Sequence, residues 1–192
     1  MAKVEIKKPE MITIEFHQEK TDADYGSCMW ARFNFDLINY SMSIESDCGN
    51  YGYGWVPTPQ HESFLKLCAR FDSGYLLCKL SEMSVVDGEK TWENLEEIIK
   101  EIAECLTDEQ DEDMEEIKNA CFSGYTERDV HDAVESAIKY TRLENEIEDF
   151  DLWDSIVKDY PINAKKIVEV YMTHIVPTIK KMLTETECKN NA

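Results

Sequence analysis

The side chains able to build a metal centre or a covalent catalyst are few and scattered. His17, His61, His131 and His174 stand far apart, and none has a second His, Cys or carboxylate at a recognised ligand spacing. His131-Asp132 comes nearest, but neighbours on a helix point about 100° apart, so the two do not easily share one metal. Each histidine reads as an ordinary surface or core imidazole. The seven cysteines, Cys28, Cys48, Cys68, Cys78, Cys105, Cys121 and Cys188, form no CxxC and are odd in number. Most sit inside apolar periodic stretches, which predicts reduced packing thiols. A Cys–His nucleophile pair needs no fixed spacing. Cys48, in Ser46-Asp47-Cys48-Gly49-Asn50, is the one cysteine in an apparent loop, and with His61 it is the best such pair the chain offers. Beside that reading stands Cys48 as a small loop-packing residue. No catalytic signature occurs, so the expectation is no catalytic residue, no metal ligand and no cofactor.

Two other stretches invite a chemical reading. Gly49-Asn50-Tyr51-Gly52-Tyr53-Gly54 has the glycine content of a phosphate-cradling loop. It lacks the Lys-Ser/Thr of a Walker loop and the strand-then-helix context of a dinucleotide site. Tyr51, Tyr53 and Trp55 instead present amphipathic rings on a permissive backbone, the composition of protein-binding hot spots. Their bland reading is a sheet edge whose aromatics cover the core. Asp108-Glu109-Gln110-Asp111-Glu112-Asp113 lacks the alternating ligands and central glycine of a calcium loop. Such a run suits the first turn of a helix, where acids meet the positive end of the macrodipole.

Charge is the stronger signal. The 192 residues carry 40 acids against 20 bases, a net −20, which repels phosphate backbones and anionic membranes and argues against direct nucleic-acid or membrane binding. With 43% hydrophobic residues, 7 Gly and 5 Pro, wholly disordered and collagen-like classes are excluded. No apolar run nears the roughly 18 residues of a membrane helix, and no signal core follows Met1, so a soluble cytoplasmic protein is expected. Residues 87–154 hold 24 acids and 6 bases, −18 of the total. A small domain is well served by a charge of about 2–8, and excess charge of one sign costs stability through self-repulsion, so the belt points to a basic partner. Its simpler reading is a solvated helix face. The candidate contact residues are Glu93, Glu96, Glu97, Glu101 and Glu104, then Asp108, Asp111, Glu112, Asp113, Glu115 and Glu116, with Tyr51, Tyr53 and Trp55 as a second, apolar anchor.

The elements that must position these residues divide by period. Ile12, Ile14 and Phe16, then Met29, Ala31, Phe33 and Phe35, then Tyr40, Met42 and Ile44 alternate with polar neighbours, predicting strands, the last two joined by a turn at 36–39. Gly49–Trp55 reads as an aromatic-glycine loop or bulged edge strand. Thr58 as cap and Pro59 at the first helical position open a helix through Phe64, Leu65, Cys68 and Phe71, ended by Asp72-Ser73-Gly74. Tyr75–Leu80 suits a strand or a turn of helix equally.

The remainder is helical. One helix carries the stripe Trp92, Leu95, Ile98, Ile99, Ile102 and Leu106. A second opens at the capping box Thr107–Gln110 and stops at Gly124, and a third opens at Thr126–Asp129. A short helix at Asp149–Lys158 and a long one from Pro161, kinked at Pro177, complete the chain, with residues 184–192 as a frayed tail. The expected class is α+β: an N-terminal antiparallel sheet with a packed helix (residues 1–86), then an acidic α-helical bundle (residues 87–192), together one compact unit.

The stretch from Tyr25 to Leu80, above all Ser46-Asp47-Cys48-Gly49-Asn50-Tyr51-Gly52-Tyr53-Gly54-Trp55 and Glu62-Ser63-Phe64-Leu65-Lys66-Leu67-Cys68-Ala69-Arg70-Phe71-Asp72, resembles small proteins of phages and prophages of Gram-positive bacteria. That resemblance covers about a third of the chain, fixes no activity and transfers no functional residue. Many small acidic phage proteins of this type are anti-defence factors, and several anti-CRISPR proteins act as acidic surrogates for nucleic acid. By that similarity the expected function is an anti-CRISPR-like inhibitor in the bacterial host cytoplasm, binding a CRISPR nuclease or another nucleic-acid-handling protein through its basic surface. Two other readings stand beside it: a small hydrolase or transferase with a loop site near Asp47, Cys48 and His61, and a self-associating phage accessory or scaffold protein.

Overall fold

The computed structural model describes residues 8–23, 25–57, 63–102, 108–141 and 151–190. The fold is α+β, as the two periods predict. Strands β1 (Met11–His17), β2 (Trp30–Asp36), β3 (Ser41–Ser46) and β4 (Tyr51–Gly54) form an antiparallel sheet in sequence order. Its register lines up two apolar rows, Ile14, Phe33, Ile44, Tyr51 and Ile12, Phe35, Met42, Tyr53. The opposite face is polar: Arg32 bridges Glu15 at 2.8 Å and Glu45 at 3.4 Å across the three strands. One apolar and one polar face is the alternation expected of a half-buried sheet. β2 starts at Trp30, one residue after the expected Met29, because the Met29 N–H donates to the Asp47 carboxylate at 2.9 Å.

The chain forms two compact units. The first comprises Met1–Glu82 with Pro161–Ala192, the second Met83–Tyr160. The first unit's core joins Phe33, Phe35, Met42 and Ile44 of the sheet to Phe64, Cys68, Phe71 and Leu76, and to Ile167, Tyr171, Ile175 and Ile179. The helices after Pro161 thus pack on the sheet, whereas their sequence position suggested company with the preceding acidic helices.

Three local expectations of the first unit are corrected. The helix expected from Thr58 to Phe71 is shorter, α1 (Phe64–Cys68), and Thr58 and Pro59 lie outside the described residues. Asp72 does not terminate helix but begins it: its side chain accepts the Tyr75 N–H and caps α2 (Ser73–Leu80). The C-terminal residues continue as helix: α6 (Ile162–Val170) leads through a π-helical turn (Tyr171–Ile175) into α7 (Val176–Asn190), where Glu187 pairs with Lys66 at 2.8 Å. The π turn answers Pro177, whose missing N–H and ring disrupt the i→i−4 ladder. The Val176 N–H reaches back five residues, to the Tyr171 carbonyl.

The second unit packs α3 (Gly88–Ile102), α4 (Asp108–Cys121) and α5 (Glu127–Tyr140) around Leu95, Ile99, Met114, Ile117, Cys121, Val130, Val134 and Leu152. Thr126 caps α5 in a reciprocal box with Asp129. Thr107, the expected cap of α4, and Leu106 lie outside the described residues. A Cβ at Gly88 would come within 2.7 Å of the Cys121 carbonyl, so only glycine lets the start of α3 pass the end of α4. The helix expected at Asp149–Lys158 is instead a 3-10 turn (Leu152–Ser155) followed by strand β6 (Lys158–Asp159). β6 pairs with β5 (Val85–Val86), and the Asp87 N–H donates to the Val157 carbonyl at 2.8 Å. The β-branched Ile156 and Val157 favour this extended path over helix.

Candidate functional site

The acidic residues sort by helical geometry. On α3, burial of Leu95 and Ile99 turns Glu93, Glu97 and Glu101 outward. Their four-residue spacing repeats charge about every 6 Å along the axis. Glu96 lies at the flank, half-buried and paired with Lys100 at 2.8 Å. On α4, Met114, Ile117 and Cys121 face the core, leaving Glu112, Glu115 and Glu116 exposed and Asp113 half-buried. Asp108 and Asp111 stand in the first turn of α4, and Glu104 lies outside the described residues. The other described cations of this unit are engaged in local pairs: Lys90–Asp87, Lys118–Glu115, Arg128–Asp132, Lys139–Glu135 and Lys158–Glu127. Among the described residues, Glu93, Glu97, Glu101, Glu112 and Glu116 have no cation within ion-pair distance. The unit from Met83 to Tyr160 carries 25 acids and 7 bases, so −18 of the chain's −20 resides in it.

The aromatic edge divides. All three rings leave the sheet on its core face, because glycines occupy the alternate positions of β4. Tyr51 turns inward, half-buried, and its hydroxyl donates to the Cys48 carbonyl at 2.9 Å. Burial pushes its phenol above the ordinary value. Tyr53 and Trp55 meet edge to face with centroids 4.8 Å apart, Trp55 stacks on Phe71 at 4.9 Å, and the Trp55 indole N–H donates to the Tyr75 hydroxyl at 2.7 Å. Lys79 Nζ lies 5.1 Å from the Tyr53 ring and 5.5 Å from the Tyr75 ring, within cation–π range. Its hydrogen bond with the Tyr53 hydroxyl raises its pKa. So Trp55 and Tyr51 cover the core, as the bland reading held, while Tyr53, Tyr75 and Lys79 form a partly exposed cluster. Tyr75 and Lys79 escaped the sequence reading, although once Tyr75–Leu80 is helical their i,i+4 spacing places them on one face.

The nucleophile pair fares differently. Cys48 is 5% exposed and its thiol donates to the Ser27 carbonyl at 3.2 Å, so it is not presented to a substrate; His61 lies outside the described residues. Around Cys48 the hairpin gathers Cys28 and Asp47: the donor atoms of the three lie within 4.8 Å of one another. Burial, together with Cys48 and Asp47 beside it, pushes the Cys28 thiol up. Burial alone would raise the Asp47 carboxyl, but the Met29 and Trp30 N–H groups outweigh it and hold that carboxyl below its usual value. His131, Asp132 and Glu135 also gather, and His131 Nδ1 approaches Asp132 Oδ1 to 3.4 Å, closer than their helical directions suggest. Stacking of the His131 ring on Trp153, centroids 3.9 Å apart, accounts for its position. An open cleft of about 420 Å3 in the second unit is lined by Met83, Val85, Thr126, Arg128, Trp153 and Lys158, none of them among the candidate contact residues. The described cysteines, Cys28, Cys48, Cys68, Cys78, Cys121 and Cys188, are free thiols, and Cys105 lies outside the described residues. No described helix is long and apolar enough to cross a membrane.

A family model described as a phage family, Phage_phiTE_072, matches residues 4–181, and the chain belongs to that family. No curated protein and no solved structure matches the chain.

Proposed function

We propose that this phage-family protein is a non-enzymatic binding protein of the anti-defence kind. Its acidic unit, Met83–Tyr160, engages the basic groove of a nucleic-acid-handling protein of the host, such as a CRISPR nuclease, with carboxylates standing where phosphates would lie. The observation that supports this reading is the set of exposed, cation-free carboxylates on α3 and α4, in a unit that concentrates −18 of charge. A field of that sign accelerates encounter with a basic groove and repels nucleic acid itself.

The test is a charge reversal on one face. Glu93→Lys, Glu97→Lys and Glu101→Lys together are expected to weaken capture of the basic partner by at least tenfold while the unfolding midpoint moves little, since all three project away from Leu95 and Ile99. Each exposed pair contributes only about 0–1 kcal/mol, so single reversals are expected to be nearly silent. Salt should slow association of the wild-type complex. If the triple variant binds as the wild type does, the acidic face is solvent-facing only. A loss of binding on Tyr53→Ala or Lys79→Ala would then move the contact to the aromatic edge, the second surface with hot-spot chemistry.

A further inference from the structure

We propose that Cys28, Asp47 and Cys48 form a binding site for one thiophilic divalent cation of the zinc class. The β2–β3 hairpin builds it. Ala31 pairs with Ser46, so continuing the register past the ladder brings the segment before β2 against the turn after β3. Cys28 and Cys48 enter from these two segments, twenty residues apart in sequence, which is why no ligand spacing announces them.

The turn is fixed before any ion arrives. Gly49 sits at φ +113°, a conformation suited to glycine. Ser46 Oγ accepts the Cys48 N–H at 3.2 Å and donates to the Gly49 carbonyl at 2.7 Å. Asp47 is oriented by its own partners, one oxygen accepting the Met29 N–H at 2.9 Å while the other lies 3.6 Å from Cys28 Sγ. That is the outer-shell support metal-binding carboxylates require.

Donor chemistry selects the ion. Two sulfurs and one carboxylate oxygen suit zinc or a similar borderline-soft cation, whereas calcium and magnesium demand oxygen ligands throughout. With Zn–S bonds of about 2.3 Å, neighbouring ligands of a tetrahedral ion stand about 3.8 Å apart. The Cys28–Asp47 contact already has that edge, and the three donors, within 4.8 Å of one another, need close by only about 1 Å. The thiols are 0% and 5% exposed and Asp47 is on the surface, so entry is from the carboxylate side, where water supplies the fourth ligand. Binding converts two thiols to thiolates and releases two protons to solvent; no electron is transferred.

Cobalt(II) titration of the fully reduced, full-length protein tests this. A thiolate-to-cobalt charge-transfer band in the near ultraviolet is expected to saturate at one equivalent, with about two protons released per ion, and to be displaced by zinc. Cys78→Ser combined with Cys188→Ser, which removes two exposed cysteines, should leave the band intact. Cys28→Ser should abolish it, and Asp47→Asn should weaken affinity at least tenfold. Absence of the band in the wild type, its persistence in Cys28→Ser, or unchanged affinity in Asp47→Asn would overturn the site. Because Cys28 is buried and its variant could misfold, the wild type gives a second measurement. Zinc should slow alkylation of Cys28 and Cys48 in moderate urea, and slowing confined to other cysteines would also overturn the proposal.

Discussion

Tyr171 shows how much one hydroxyl decides. Its ring is fully buried against Phe33, and its O–H donates at 2.8 Å to the carbonyl of Cys68, the last residue of α1. Burial drives its phenol well above the ordinary value, and burial likewise pushes the Cys68 thiol beside it up to about 12. Tyr171→Phe should cost about 0.5–1.5 kcal/mol, because it removes one buried hydrogen bond while preserving the packing and leaves the Cys68 carbonyl with the Phe71 N–H at 3.3 Å, and urea unfolding would measure it. The hydroxyl's partner stands 103 residues away, beyond any periodicity. The same limit hid the Cys28, Asp47 and Cys48 cluster, which exists only once the hairpin register is known. Residues whose exposure depends on their own helix face, such as Glu93, Glu97 and Glu101, are legible from spacing alone.

Among the elements, the ends carry the lesson. Thr126–Asp129 reads as a capping box in the sequence and is one in the structure, with each side chain accepting the other's backbone N–H at 3.2 Å. Thr126→Ala should cost about 1 kcal/mol and raise hydrogen exchange across the first turn of α5 before the core opens. Asp72 shows the opposite outcome. Aspartate followed by serine and glycine can stop one helix or start another, and here packing of Leu76 into the core decides for the start. The expected helix at Asp149–Lys158 failed for a related reason: the extended partner Val85–Val86 captures Lys158–Asp159, and no local propensity reveals a strand of two residues whose mate lies more than seventy positions earlier.

At the scale of the molecule, the unit from Met83 to Tyr160 is built as a self-contained insert, with its own apolar core and its two ends joined by the β5–β6 ribbon. Expressed alone, residues 83–160 should fold to a helical, cooperatively melting domain. Its midpoint should rise with added salt, because screening relieves self-repulsion among 25 acids and 7 bases; a midpoint that falls with salt would mean attractive pairs dominate. The ribbon also bears on the order in which the chain folds. The sheet unit is assembled from segments on either side of the insert, as the Lys66–Glu187 and Tyr171–Cys68 contacts show, and closing that gap as free coil is an entropic barrier. Once β5 and β6 have paired, the effective loop shrinks from nearly eighty residues to a handful, lowering the closure cost by about 2 kcal/mol. The paired ends of the insert thereby act as a clasp, bringing the segment that ends at Glu82 and the one that starts at Pro161 close enough for the unit they share to form at lower entropic cost.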